Sequence, residues 1–244
     1  IPLPWTLLAF LLGILACLGY WRHARNAANP ILDFSLFRVP TFSISLTAGT
    51  CFRVAVGAVP FLLPLMLQLG FGKTPLQSGM ITFASAAGAI AMKPAATPLL
   101  TRFGFRSVLI WNGVAATLML AASALFSPAW PAWLMALVLL VAGTFRSLEF
   151  TAYNVIAYGD IPRPRMSAAT TLYTTVQQLS LTMGVVVGAA SLEISSFLTG
   201  HTTPSLSDYD IAFIVVSLVA LVASPLCARL PRDAGDALTG HRTG

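Results

Sequence analysis

Residues 41–69, TFSISLTAGTCFRVAVGAVPFLLPLMLQL, carry a single charge, Arg53, in an otherwise apolar and weakly polar run. A helix needs about 20 such residues to cross hydrocarbon. Comparable runs at 2–20, 77–99, 106–126, 132–157, 168–198 and 209–229 bring the expected spans to seven. Turn chemistry separates them: Asn29-Pro30, Gly70-Phe71-Gly72, Phe103-Gly104, Ser127-Pro128, Pro162 with Pro164, and Thr203-Pro204. Backbone groups in lipid must be satisfied within the segment, so the spans are expected to be helices. The short alternating strands of a membrane barrel are not seen.

The composition of the 244-residue chain agrees. Apolar residues make up 57% and charged residues 9%, with a mean hydropathy of +0.81. A soluble domain is roughly one-quarter charged, so a water-soluble fold is excluded. The net charge of +6 lies mostly in short loops, which excludes a nucleic-acid patch and makes it a topology signal. Cys17, Cys51 and Cys227 fall in apolar runs without metal or disulfide spacing and read as small buried residues. No metal and no cofactor is expected. The chain begins at Ile1, inside an apolar segment with no basic residues before it. It therefore reads as a fragment whose N-terminal part is missing, not as a signal peptide.

Lysine and arginine set the orientation. Arg22, Arg25 and Arg38 lie between spans one and two, Arg102 and Arg106 between three and four, and Arg163 and Arg165 between five and six. Arg229, Arg232 and Arg242 follow span seven, and the opposite loops hold only Lys73. The cation-rich face is expected to be cytoplasmic, with the C-terminus inside.

Charges at bilayer depth usually face a bundle interior or a wet cavity. Arg53 lies mid-span and reads either as a site residue or as half of a structural ion pair. Arg146 and Glu149 are spaced i,i+3 on one helix, so the spacing predicts a pair. A carboxyl such as Glu149 in a low-dielectric cavity can also take up and release protons. Gln177, Gln178, Tyr153 and Asn154 can hydrogen-bond a ligand without bringing charge, or bond between helices. Lys93 and Glu193 read as interfacial anchors. Gly184 and Gly188 form G-x-x-x-G, a close-packing signal. Pro60, Pro64, Pro94 and Pro98 are expected to break or kink their helices.

Several motifs carry a resemblance. Residues 57–68, GAVPFLLPLMLQ, followed by 72–79, GKTPLQSG, resemble the first helix, outer loop and second-helix start of the C-terminal half of major facilitator superfamily exporters. Among these the chain is most similar to the fourteen-helix drug:proton antiporters of the EmrB/QacA type. Residues 29–37, NPILDFSLF, resemble the linker entering that half, and residues 101–106, TRFGFR, resemble the second copy of the D-R-x-G-R-R loop. The segment from Gln178-Leu179 to Gly184 resembles the motif R-Q-L-G-G-S-L-G. Thr101, Phe105 and Gln177 depart from these patterns.

The resemblance implies an all-α integral membrane protein, one extra helix plus a six-helix C-terminal half-bundle. Residues 1–20 would be the last central extra helix and 21–40 a cytoplasmic linker. Residues 41–230 would be the bundle, and 231–244 a disordered cytoplasmic tail. Seven spans would be missing upstream.

The implied function is proton-coupled efflux of small amphipathic or cationic compounds by the full-length protein. Partners would be the lipid bilayer, a small-molecule substrate, protons and the missing N-terminal half. Arg53, Arg146, Glu149, Asn154, Gln177 and Gln178 are the expected substrate or proton pathway, and Arg102, Gly104 and Arg106 the gating loop.

Two other classes fit less well. A receptor-like, retinal or purely structural seven-helix protein would not explain the motifs, and the last span has no lysine for a retinal Schiff base. An intramembrane serine protease needs an embedded histidine, yet His23, His201 and His241 lie in loops or the tail. Asp160 and Asp210 lie near opposite faces and cannot form an aspartyl pair. A non-enzyme is expected.

Overall fold

The computed structural model describes residues 33–200 and 203–231, together with 234–235 and residues 11–13, 15–16, 18–20 and 22. Most of the expected first span and tail lie outside these residues, as do Cys17, Arg25, Arg232, Arg242 and the three histidines.

Local chemistry accounts for most helix ends. The Asp33 side chain accepts from the Ser35 backbone N–H and opens a 3₁₀ turn, Phe34–Arg38. Helix α1, Pro40–Leu65, begins with proline in its first turn, where a missing N–H costs nothing. Helix α2, Pro75–Phe103, opens on a capping box, with Thr74 and Gln77 bonding each other's backbone N–H groups. It ends at Gly104, whose φ of 75° suits glycine. Helix α3, Phe105–Ala121, follows at once, and α4 spans Ala132–Ile156. Helix α5, Met166–Thr199, closes on left-handed Gly200. Helix α6, Leu206–Leu221, starts from a Ser205–Asp208 capping box, and the short α7, Ala223–Cys227, continues it.

The described residues form no strand, as an all-α membrane protein requires. Five helical stretches are long and apolar enough to cross a membrane: Pro40–Gly70, Phe105–Leu125, Ala132–Ile156, Arg163–Thr199 and Leu206–Cys227. Helix α2 has the length but is less apolar. With it, six helices stand where the second to seventh spans are expected, with ends displaced by a few residues.

The prolines do not break their helices. α1 continues through Pro60 and Pro64, and α2 through Pro94 and Pro98. After Pro64 the chain widens into a π-helical turn, Met66–Gly70. A wider turn makes room for backbone that has lost one hydrogen bond to proline.

The bundle is built from two crossed pairs. α1 packs most extensively on α5, and α2 on α4. α6 then lies against α1, and α3 against α4, while α3 and α6 meet each other. Exchanging α1 with α4, α2 with α5 and α3 with α6 maps this pattern onto itself, as two three-helix repeats would. In each main pair a glycine on either helix admits the other's backbone. A Cβ on Gly57 would stand 2.3 Å from the Leu181 carbonyl oxygen, and one on Gly184 2.2 Å from that of Val54. A Cβ on Gly88 would stand 1.9 Å from the Leu140 oxygen, and one on Gly143 2.1 Å from that of Ser85. In all four cases the intruding carbonyl lies three residues before the partner glycine. Lipid removes the hydrophobic drive between helices, so this close contact is what holds them.

Candidate functional site

The interior of the bundle carries two charged centres, one on α1 and one on α4. Arg53 is fully buried. Its Nη2 donates to the Tyr173 hydroxyl on α5. Its Cζ lies 4.7 Å from the Tyr173 ring centre, 5.8 Å from that of Tyr153 and 5.9 Å from that of Phe150. Gly49, one turn earlier, leaves the space that the guanidinium fills: a Cβ there would meet Nη1 at 2.6 Å. Aromatic faces attract a cation, but they do not neutralise it. Nε and Nη1 are buried and make no hydrogen bond among the described residues.

Glu149 is fully buried as well. Its Oε2 accepts from Asn112 Nδ2 on α3 at 2.7 Å, and the same amide donates to the Phe145 carbonyl at 2.9 Å. Its Oε1 makes no hydrogen bond among the described residues. Gly113 lets α3 come this close, since a Cβ there would lie 3.1 Å from Oε1 and 3.2 Å from Ser224 Oγ. One turn along α4, Tyr153 is buried too, with its hydroxyl 3.2 Å from Cys227 Sγ. Tyr153 thus stands between the two centres, its ring against Arg53 and its hydroxyl among the groups near Glu149.

The expected Arg146–Glu149 pair does not form. The one ion pair among the described residues is Arg165–Asp33. Positions i and i+3 differ by about 60° around a helix, and that turn separates their surroundings. Glu149 faces α3 and Ser224. Half-buried Arg146 lines a cavity of about 40 Å³ with Phe52, Val56, Ser85 and Thr117. That volume is enough to admit water where polar partners are present, and Thr117 Oγ1 is buried without a partner among the described residues.

The remaining expected site residues divide. Asn154 is half-buried, and its Oδ1 has no partner among the described residues. Gln177 is half-buried and Gln178 exposed, and neither is brought to Arg53 or Glu149. Ser180 faces α1 instead, with its hydroxyl 3.3 Å from Thr50 Oγ1. Lys93 and Glu193 are exposed. In the expected gating loop Arg102 is exposed, with its guanidinium 5.5 Å from the Phe103 ring centre. Arg106 donates from Nη2 to the Ala228 carbonyl at 2.9 Å, which ties this loop to the end of the last helix.

Asn112, Tyr173 and Phe150 were not among the expected site residues. Asn112 is an amide inside an otherwise apolar run, which is a usable signal. Tyr173 and Phe150 carry no local mark of their role. The other buried acid, Asp208, has a structural explanation. Ser195 Oγ and both the backbone and hydroxyl of Ser205 bond its carboxylate at the start of α6.

Polar contacts also join the elements at the Arg165 end. The Ser35 hydroxyl and the Arg165 guanidinium hold the Asp33 carboxyl below its usual range, with Arg165 Nη2 2.7 Å from Asp33 Oδ2. Thr41 Oγ1 donates to Asp160 Oδ2 at 2.8 Å.

Comparison with known proteins gives this arrangement a context. The profile of the Major Facilitator Superfamily matches residues 3–185. A putative multidrug resistance protein MdtD of Pectobacterium atrosepticum is 31% identical over 226 residues, covering 91% of this chain and 48% of the relative. That of Serratia proteamaculans is 33% identical over 230 residues, with coverages of 91% and 47%. That of Salmonella paratyphi A is 32% identical over 243 residues, with coverages of 94% and 50%. The chain spans about half the length of these curated relatives.

Proposed function

The chain belongs to the Major Facilitator Superfamily, and we propose that it is the C-terminal half-bundle of a proton-driven exporter of amphipathic or cationic drugs. It is a multi-pass membrane protein. In this reading residues 1–20 are the last extra helix, 21–40 a cytoplasmic linker, 41–230 the half-bundle and 231–244 a cytoplasmic tail. The bundle sits in a bacterial inner membrane with the Arg102, Arg106, Arg163 and Arg165 loops inside. A second half-bundle completes the transport path at the midplane. Transport, not catalysis, is its activity.

The observation that carries this reading is Glu149. A carboxyl buried at bilayer depth, with one amide partner and no ion pair among the described residues, is costly to keep charged. Such a group can exchange a proton when the bundle rearranges, whereas the fully bonded Asp208 has no such freedom. Arg53 supplies an interior positive charge on the next helix layer, with Tyr153 between. In this reading Arg146, Asn154 and half-buried Gln177 border the path, and Gln178, exposed on α5, is met by the second half-bundle. In this reading the Arg102–Gly104–Arg106 loop gates the cytoplasmic end. The names of the relatives, multidrug resistance proteins, support the drug class of substrate.

The test is proton-gradient-driven efflux of a lipophilic cation in inverted vesicles holding the full-length protein. Glu149→Gln keeps the shape and the Asn112 hydrogen bond but cannot ionise. Loss of gradient-driven efflux with retained substrate binding supports the reading. Unchanged gradient-driven efflux removes Glu149 from coupling.

A further inference from the structure

A groove of about 380 Å³ opens between α2, α3 and α4 at the end where α2 gives way to α3. Leu99, Phe103, Trp111 and Phe145 form apolar walls, and Ser107 and Asn112 supply the polar groups. Its volume is within the range of small-molecule sites. Trp111 and Phe103 are exposed, at 75% and 53%. A surface this apolar is not left open to water, and in a membrane its occupant is an amphiphile.

Charge selects which amphiphile. Among the described residues no acidic side chain lines the groove. The guanidinium of exposed Arg102 is held over the ring of Phe103, itself a groove wall. Arg106 gives its Nη2 to Ala228, whereas exposed Arg102 makes no hydrogen bond or ion pair among the described residues and is the cation held at the groove wall. Helix α3 starts at Gly104 without a side-chain cap, so its first N–H groups also point toward this end. At the deep end Asn112 is 8% exposed, and its Oδ1 has no partner among the described residues. Asn112 stands about 10 Å along the axis of α3 from Phe105, a distance suited to the ester region of a lipid.

We propose that this groove binds one anionic phospholipid, with the phosphate on Arg102 and the start of α3 and an acyl chain along Trp111 and Phe145. Basic pockets between membrane helices take anionic headgroups in this way. The site is independent of the drug-export reading, because it needs only the groove and its cation.

Trp111 is a built-in reporter. In a variant with Trp5, Trp21, Trp130 and Trp133 changed to Phe, bromine-labelled phosphatidylglycerol should quench Trp111 in mixed vesicles. The expected preference over bromine-labelled phosphatidylcholine is about fivefold, the effect of one basic residue near a lipid surface. Arg102→Gln should remove the preference, and Arg38→Gln, the same charge loss elsewhere, should leave it. Native mass spectrometry of the chain with its natural tryptophans is the second measurement, comparing retained adducts of the same two lipids. Equal quenching or equal retention of the two lipids overturns the proposal. So does a preference that survives Arg102→Gln, one lost equally in Arg38→Gln, or a Trp111 that neither lipid quenches.

Discussion

Gly57 and Gly184 meet so closely that each helix backbone occupies the other's missing side chain. The Leu181 carbonyl fills the Cβ position of Gly57, and the Val54 carbonyl that of Gly184. The same reciprocal contact joins Gly88 and Gly143. Both pairs are parallel, as alternate crossings of a membrane must be, and they are the joints on which the bundle is assembled.

Substitution at these joints should therefore cost more than glycine propensity alone. Gly184→Val or Gly143→Val should destabilise the bundle by at least the ~1–3 kcal/mol of ordinary overpacking, because the obstacle is backbone. Gly79→Ala, with nothing within 4 Å of its Cβ, should be neutral or mildly stabilising. Thermal unfolding of the three variants in one detergent, followed by chromatographic dispersity, checks the ranking. Equal stability of Gly184→Val and the parent chain would contradict it.

Arg53 should be dispensable for folding. A buried cation held by aromatic rings and one hydroxyl is a poor source of stability, and an apolar residue of like volume is often neutral or stabilising by about 1–4 kcal/mol. Arg53→Met should keep or raise the unfolding midpoint while abolishing transport by the full-length protein. Tyr173→Phe should do the opposite to stability. It removes the acceptor for Nη2 and should cost about 1–3 kcal/mol, the range for leaving a buried polar group unsatisfied.

Arg146 and Glu149 should act independently. They share a helix but not a partner. In a double-mutant cycle of Arg146→Gln and Glu149→Gln, the stability effects should add within about 0.5 kcal/mol. A coupling well above that would mean that the two side chains pair after all. Asn112→Leu, by contrast, should be strongly coupled to Glu149→Gln, because it removes the amide that donates to the carboxylate at 2.7 Å.

The linker contact should depend on pH and salt. The folded chain holds Asp33 below its ordinary value of 3.8. Its contribution is then present above that value and lost as pH falls through the lower, folded-state one. Asp33→Asn should lower stability slightly at pH 7, and the difference should shrink as pH falls below 3.8. The Asp33–Arg165 coupling should be about 0.2–1 kcal/mol at low ionic strength and smaller at high salt, because both side chains are partly exposed. Denaturation of parent and variant at pH 7 and below pH 3.8 measures it.

Much of this was legible in the residues alone, for a physical reason. Lipid makes backbone hydrogen bonding local, so run length and hydropathy predict the six membrane-length helices, and Pro, Gly and capping pairs such as Thr74–Gln77 predict their ends. Arg53 and Glu149 stood out because charge is rare at that depth, and Gly184 and Gly188 because small residues mark close packing. Asn112, an amide in an apolar run, carries a signal in the residues, but its partner Glu149 does not follow from it. Side-chain partnership was decided elsewhere. The i,i+3 spacing of Arg146 and Glu149 allows a pair, yet packing turns one toward a cavity and the other toward Asn112. Nothing in residues 50–56 says that an aromatic ring from position 173 will lie over Arg53. Helix formation is settled within a few residues of chain, whereas the partner of a buried charge depends on which helices cross, and those crossings are set by glycines more than 50 residues apart, Gly88 with Gly143 and Gly57 with Gly184.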